Sequence, residues 1–180
     1  MKPFVGPVRL AGAGRLKAGN AFDLQKLSVE TAATKATLAG IYAPQEAKIA
    51  GDVSLPDLST LSDLAGRRIG GTLAAHITFD GAPTTQSGTL TFNAKAQGLD
   101  AGEDPVTALL GGEATLSGTL SRTADGEVDI SETVLESPGI KARVSGHSDL
   151  ETVSAQATAT VSDLKPLDDR LAGALTSVPV

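Results

Sequence analysis

Apolar and polar residues alternate with a period of two along most of the chain, the pattern of strands with one apolar face. Phe4 to Leu16 reads as a strand pair interrupted at Gly6, Gly12 and Gly14, and Gly19-Asn20 as a turn before a strand opening at Phe22. Thr34 to Gly40 continues the alternation. Ala47, Ile49, Gly51, Val53 and Leu55 then share one face of a longer strand that Pro56 stops. Leu73, Ala75, Ile77 and Phe79 alternate with polar neighbours up to a turn predicted at Asp80-Gly81. Leu90, Phe92, Ala94 and Ala96 follow in the next strand. Ala114, Leu116, Gly118 and Leu120 lead into a hairpin at Asp125-Gly126, with Val128 and Ile130 returning on the same face. Beyond a Ser137-Pro138-Gly139 turn come Ile140, Ala142 and Val144. Val153, Ala155, Ala157 and Val161 belong to the most regular run of all.

Two short stretches depart from this period. Pro56 and Asp57 precede Leu58, Leu61 and Leu64, a spacing that suits a turn of helix capped by Asp57, with the leucines plugging the apolar edge. Glu103-Asp104-Pro105 reads as a second helix start, with Asp104 as cap, and Gly111-Gly112 as its end. The fold class is therefore all-β: an elongated, curved antiparallel sheet of one-sided strands with one or two short helical turns.

The Asp57 stretch recurs. Asp57, Leu58 and Leu61 match Asp163, Leu164 and Leu167 at an offset of 163 − 57 = 106 residues. At that offset Asp23, Glu30, Lys35, Ala36 and Gly40 meet Asp129, Glu136, Lys141, Ala142 and Gly146, and Leu10 and Gly12 meet Leu116 and Gly118. This is the signature of an internal repeat. Residues 1–180 are expected to form a single periodic β region with handovers near 56–71 and 162–175. Both ends fall inside a unit, so the chain is expected to be an interior piece of a longer periodic protein.

Composition sharpens the picture. Aromatic residues make up 3% of the chain, tryptophan is absent and glycine numbers 20, so the core is thin per residue. The net charge of −6 disfavours nucleic acid as a partner. No apolar run approaches the ~18 residues of a membrane helix.

Candidate chemistry is sparse, and no enzyme is expected. Gly12-Ala13-Gly14 lacks the third glycine and the following helix of a dinucleotide fingerprint. His76 lies on the polar side of an alternating strand and His147 follows Gly146 near a turn. With no cysteine and no ligand cluster in sequence, both read as surface residues, not bases or metal ligands. The adjacent carboxylates Asp168-Asp169 and Glu103-Asp104 suit helix capping better than acid–base catalysis, because neighbouring side chains do not converge. No cofactor is expected.

What remains is the shared apolar face. A second sheet could cover it, the sheet could fold over on itself, or the face could stay partly open as a groove. Filled packing is the commoner outcome of such alternation, while small Ala and Gly side chains leave room for a groove. The candidate groove residues are Leu73, Ala75, Ile77, Phe79, Leu90, Phe92, Ala94, Leu116, Leu120, Val128, Ile130, Ala142, Val144, Val153, Ala155, Ala157 and Val161.

The phrase from Leu55-Pro56-Asp57-Leu58 through Leu61 and Leu64-Ala65-Gly66 to Ile69-Gly70-Gly71 resembles one that recurs in the TamB/AsmA-like family of Gram-negative envelopes. So does Leu109-Leu110-Gly111-Gly112-Glu113-Ala114 running into Asp125-Gly126, Val128 and Ile130. The resemblance spans nearly the whole chain. It implies a periplasmic sheet curled like a taco in a protein anchored in the inner membrane. The apolar inner face would guide phospholipid acyl chains, or shelter strands of unfolded outer-membrane proteins. The full-length protein would meet the outer-membrane barrel partner TamA, although these residues show no docking segment for it. The family supplies no catalytic residues. The alternative is a structural or adhesive β-sandwich repeat of a bacterial surface protein. Open terminal strands would also favour edge-to-edge self-association.

Overall fold

The computed structural model describes residues 7–102, 104–110, 112–149, 151–162 and 175–176. Ten long strands and a two-residue eleventh form one antiparallel sheet in which spatial order equals chain order, β1 to β11. They are β1 Arg9–Lys17, β2 Ala21–Glu30, β3 Lys35–Ala43, β4 Glu46–Leu55, β5 Gly70–Ala82, β6 Ser87–Asp100, β7 Glu113–Arg122, β8 Val128–Glu136, β9 Ile140–Ser148, β10 Val153–Val161 and β11 Leu175–Thr176. Two short helices, α1 (Ser62–Ala65) and α2 (Asp104–Leu110), lie in the β4–β5 and β6–β7 connections. At about 4.8 Å per strand, β1 to β10 spans roughly 43 Å, so the sheet is far wider than it is thick.

The expected all-β class holds, with one sheet and no second layer among the described residues. The strands pack substantially only on their immediate neighbours and on the short helical turns. The molecule exposes 11574 Å², against about 8,000 Å² expected for a compact monomer of its mass. Among the described residues no large side chain is fully buried. The buried apolar residues are mainly alanines, joined by Leu58 and Leu109.

Some expectations need correcting. The described part of the first segment is a single strand, β1: the β1–β2 ladder shifts register between Ala13 and Gly14 but continues past Gly12 and Gly14. They sit under the side chains of Leu27 and Phe22 on the neighbouring strand. Asp80-Gly81 is not a turn. Gly81 pairs with Gly88 inside the β5–β6 ladder, and the chain reverses at Pro83–Thr85, where proline removes a ladder donor and Gln86 takes φ 53°. The strand placed at Thr34–Gly40 runs from Lys35 to Ala43. Leu64 does not plug the edge: it is 64% exposed, whereas Leu58 is buried. Asp57 does cap its turn, its Oδ1 accepting from the Ser59 N–H at 2.9 Å. Gly66, at φ 67°, gives α1 the left-handed terminus that glycine allows. Asp168-Asp169, Glu103 and most of the second handover lie outside the described residues.

The connections at one end of the strands are tied together. The Gly139 N–H donates to the Leu109 carbonyl at 3.0 Å, the Ser137 hydroxyl donates to the same oxygen at 3.2 Å, and the Ser162 N–H donates to Gly139 O at 2.9 Å. The first two satisfy the Leu109 carbonyl in the last turn of α2, and the three together join the helix to the β8–β9 turn and the end of β10. The 106-residue offset also appears in the backbone. The β2–β3 ladder shifts register between Leu24 and Leu27, and the β8–β9 ladder shifts between Ile130 and Thr133, the positions 106 residues on. Glu30 pairs with Lys35, and Glu136 with Lys141, across the corresponding strands.

Candidate functional site: the open apolar face

Directly opposed residues in an antiparallel ladder point to the same side of a sheet, so the register can be followed from strand to strand. Five rows result. One runs Ala47, Gly81, Gly88, Arg122, Val128, Ser148, Val153. The next runs Gly14, Leu24, Gly40, Ile49, Phe79, Leu90, Leu120, Ile130, Gly146, Ala155. The third carries Gly12, Leu27, Leu38, Gly51, Ile77, Phe92 and Gly118, and, past the β8 bulge, Thr133, Val144 and Ala157. The fourth runs Leu10, Val29, Ala36, Val53, Ala75, Ala94, Leu116, Leu135, Ala142, Ala159. The fifth begins Leu55, Leu73, Ala96, Ala114 and ends at the Ile140–Val161 pair.

All seventeen candidate groove residues therefore stand on one face. None is buried: Leu90, Leu116, Val144, Val153, Ala155 and Ala157 are exposed and the others half-buried. At about 3.3 Å per residue, five rows cover roughly 27 Å along the strands. Together with the width, that is an apolar area larger than the few hundred Å² at which a patch on a monomer calls for explanation.

The floor of this face is smoothed by glycine. A Cβ built on Gly118 would lie 2.7 Å from Phe92 Cζ, and one on Gly81 would lie 2.7 Å from Phe79 Cζ. The Phe92 and Phe79 rings therefore lie over neighbouring glycines instead of standing up from the sheet. Phe22 does the same over Gly14, and Leu38 over Gly51. Gly118 and Gly51 are buried beneath them. Large groups folded down in this way contribute apolar area without blocking the face.

The opposite face carries the charge. Lys95 and Lys141 donate hydrogen bonds that hold the Glu113 and Glu136 carboxyls below the usual range. Lys48 does the same for Glu46. The histidines, read from sequence as isolated, are cross-strand partners of aspartates: Nδ1 to Oδ1 is 2.8 Å for both His76–Asp52 and His147–Asp129. The Asp129 hydrogen bond, opposed by partial desolvation, raises the His147 pKa. Depressions of about 400 Å³ and 580 Å³ surround these two pairs. Lys35 and Lys95, at the rim of the first, pair with Glu30 and Glu113 beyond it, and no group of His, Asp or Glu among the described residues is arranged to hold a metal ion. The two histidine–aspartate pairs tie neighbouring strands together.

Although the shared face of Ile49, Val53 and Leu55 is legible in the alternation, two features of the apolar face go beyond the seventeen candidate groove residues. Its first half, from Leu10 and Phe22 to Ile49 and Val53, carries the same rows as the second. Arg122 also stands in the first row, as the parity of Leu116, Gly118 and Leu120 would have placed it. Comparison with known protein families, with characterised proteins and with solved structures returns no match.

Proposed function

We propose that this chain is a non-enzymatic segment of a periplasmic apolar trough of the TamB/AsmA-like kind, carrying phospholipid acyl chains between the membranes of a Gram-negative envelope. The supporting observation is the open face: five rows of mostly apolar residues on one side of a single sheet, with no second layer over them among the described residues. Acyl chains fit this surface better than protein strands do. The ladder bonds lie in the plane of the sheet, so a peptide laid on the face would keep its own N–H and C=O groups unpaired, at a cost of about 1–3 kcal/mol each. A hydrocarbon chain carries no such groups and gains about 0.8 kcal/mol for each CH₂ it buries. One leaflet of a bilayer core is about 15 Å deep, half of roughly 30 Å, so rows spanning about 27 Å accept an extended chain with room to move. A sandwich repeat would need a second sheet, which the described residues do not form.

The test is the lipid content of the purified protein. Extraction and mass spectrometry should recover phospholipid in amounts comparable to protein, and a fluorescent acyl probe should bind and be displaced by phospholipid. Protein that carries no lipid and takes up no probe would refute the reading.

A further inference from the structure

The five rows hold one charged residue. Arg122, the last residue of β7, pairs across the sheet with Gly88 and Val128 and so stands on the apolar face. It borders a depression of about 480 Å³ whose floor includes Phe79, Leu90, Leu120 and Val128, a size within the roughly 300–1,000 Å³ of ordinary small-molecule sites. Its Nη1 donates to Gln86 Oε1 at 3.3 Å, and no carboxylate is within ion-pair distance of it among the described residues. Gln86, in the β5–β6 turn at φ 53°, thus steadies the guanidinium without neutralising it. Of five N–H donors, those not turned to Gln86 remain for a ligand.

From this juxtaposition we infer that the depression is a seat for an amphiphile with an anionic head: the phosphate of a phospholipid on Arg122, with its acyl chain on Phe79, Leu90 and Leu120. The inference rests on the trough reading and adds a position and a charge preference to it. The charge logic is specific. The chain carries a net charge of −6, which repels anions at long range. An anionic ligand is therefore favoured only where a cation is held free of carboxylates and next to an apolar surface. Arg122 also sits in the outermost row, beside the β5–β6 turn, so a head there reaches water while the tail lies inward across the floor. The planar fork of arginine suits a phosphate through paired hydrogen bonds, which a lysine would not reproduce.

The experiment compares monoacyl phosphatidylglycerol with monoacylglycerol of the same chain as displacers of a fluorescent acyl probe, below their micellar concentrations. The wild-type protein should bind the anionic lipid about tenfold more tightly than the neutral one, a ratio that shrinks as salt is added. Arg122→Gln should bring the anionic lipid down to the neutral affinity and leave the neutral lipid unchanged, while Arg122→Lys should keep only part of the preference. Equal affinities in the wild type, or an Arg122→Gln variant that weakens both lipids alike, would overturn the inference and leave the trough reading intact. If neither lipid displaces the probe, both fall. Unchanged denaturation midpoints in the two variants exclude misfolding as the cause.

Discussion

Replacing Gly118 by alanine tests whether the aromatic rings really lie folded onto the sheet. Its φ is not in the left-handed region, so alanine is acceptable to the backbone and the outcome depends on space. The new Cβ would lie 2.7 Å from Phe92 Cζ and 2.6 Å from Thr133 Oγ1. Carbon atoms rest at about 3.5–4.0 Å, so the ring must lift by about 1 Å, and a gap of that size forfeits a quarter to a half of the contact energy of the atoms it separates. Overpacking of this kind costs about 1–3 kcal/mol. Against that stands about 0.4–1 kcal/mol gained because alanine restricts the unfolded chain. The net expectation is a loss of about 1 kcal/mol. In a Phe92→Ala background the ring contact is gone while the Thr133 hydroxyl contact and the entropic term remain and oppose each other, so the same substitution should change stability by about 0 kcal/mol. Urea denaturation of the four proteins gives the cycle, with an expected coupling of about 1 kcal/mol. A Gly118→Ala effect of equal size and sign in both backgrounds would refute the packing argument.

Other consequences follow from the same structure. Ile77→Asp, in the middle row, should weaken acyl-probe binding at least tenfold by placing a charge where hydrocarbon must lie, whereas Thr78→Asp on the other face should leave binding unchanged in the same titration. Leu58→Ala should destabilise by about 2 kcal/mol because Leu58 is one of the few large buried side chains, and Leu64→Ala, at an exposed position, should shift the denaturation midpoint little. His147 is the pH-sensitive element. Its pKa is raised in the folded state by the Asp129 hydrogen bond, so folding favours its protonated form. That contribution is complete below the unfolded value of about 6.5 and is lost as pH rises through the folded value. The denaturation midpoint should therefore fall slightly from about pH 6 to about pH 8, and His147→Gln should remove that part of the fall. A proton-detected titration placing His147 at or below the ordinary histidine value would contradict the assignment.

The strands and their apolar side are legible in the sequence because a period of two needs nothing beyond neighbouring residues. Val153 to Val161 reads directly as the nine-residue β10. Reversals were harder. Asp80-Gly81 carries the composition of a turn, yet Gly81 is small so that it can face Gly88 beneath Phe79, a fact of the neighbouring strand that the local sequence does not hold. The histidine–aspartate pairs were invisible for a similar reason: Asp52 and His76 are 24 residues apart and meet only once the β4–β5 register is set. Nor does alternation say whether an apolar face is covered. Every strand of a sandwich shows the same pattern, and only the single-layer topology separates an open face from a filled core. Arg122 was legible in principle, since it continues the parity of Leu116, Gly118 and Leu120, but a terminal arginine is easily taken for the start of a turn.

Which face of the sheet meets lipid can be read directly. A photoreactive benzophenone side chain placed at Ile77, on the open apolar face, and separately at Thr91, on the charged face, reports that contact directly in cells that make the protein. Irradiation followed by mass spectrometry should give phospholipid adducts at position 77 and none above background at position 91. Adducts of equal yield at the two positions, or adducts to protein alone at position 77, would contradict the claim that this sheet is a trough for acyl chains.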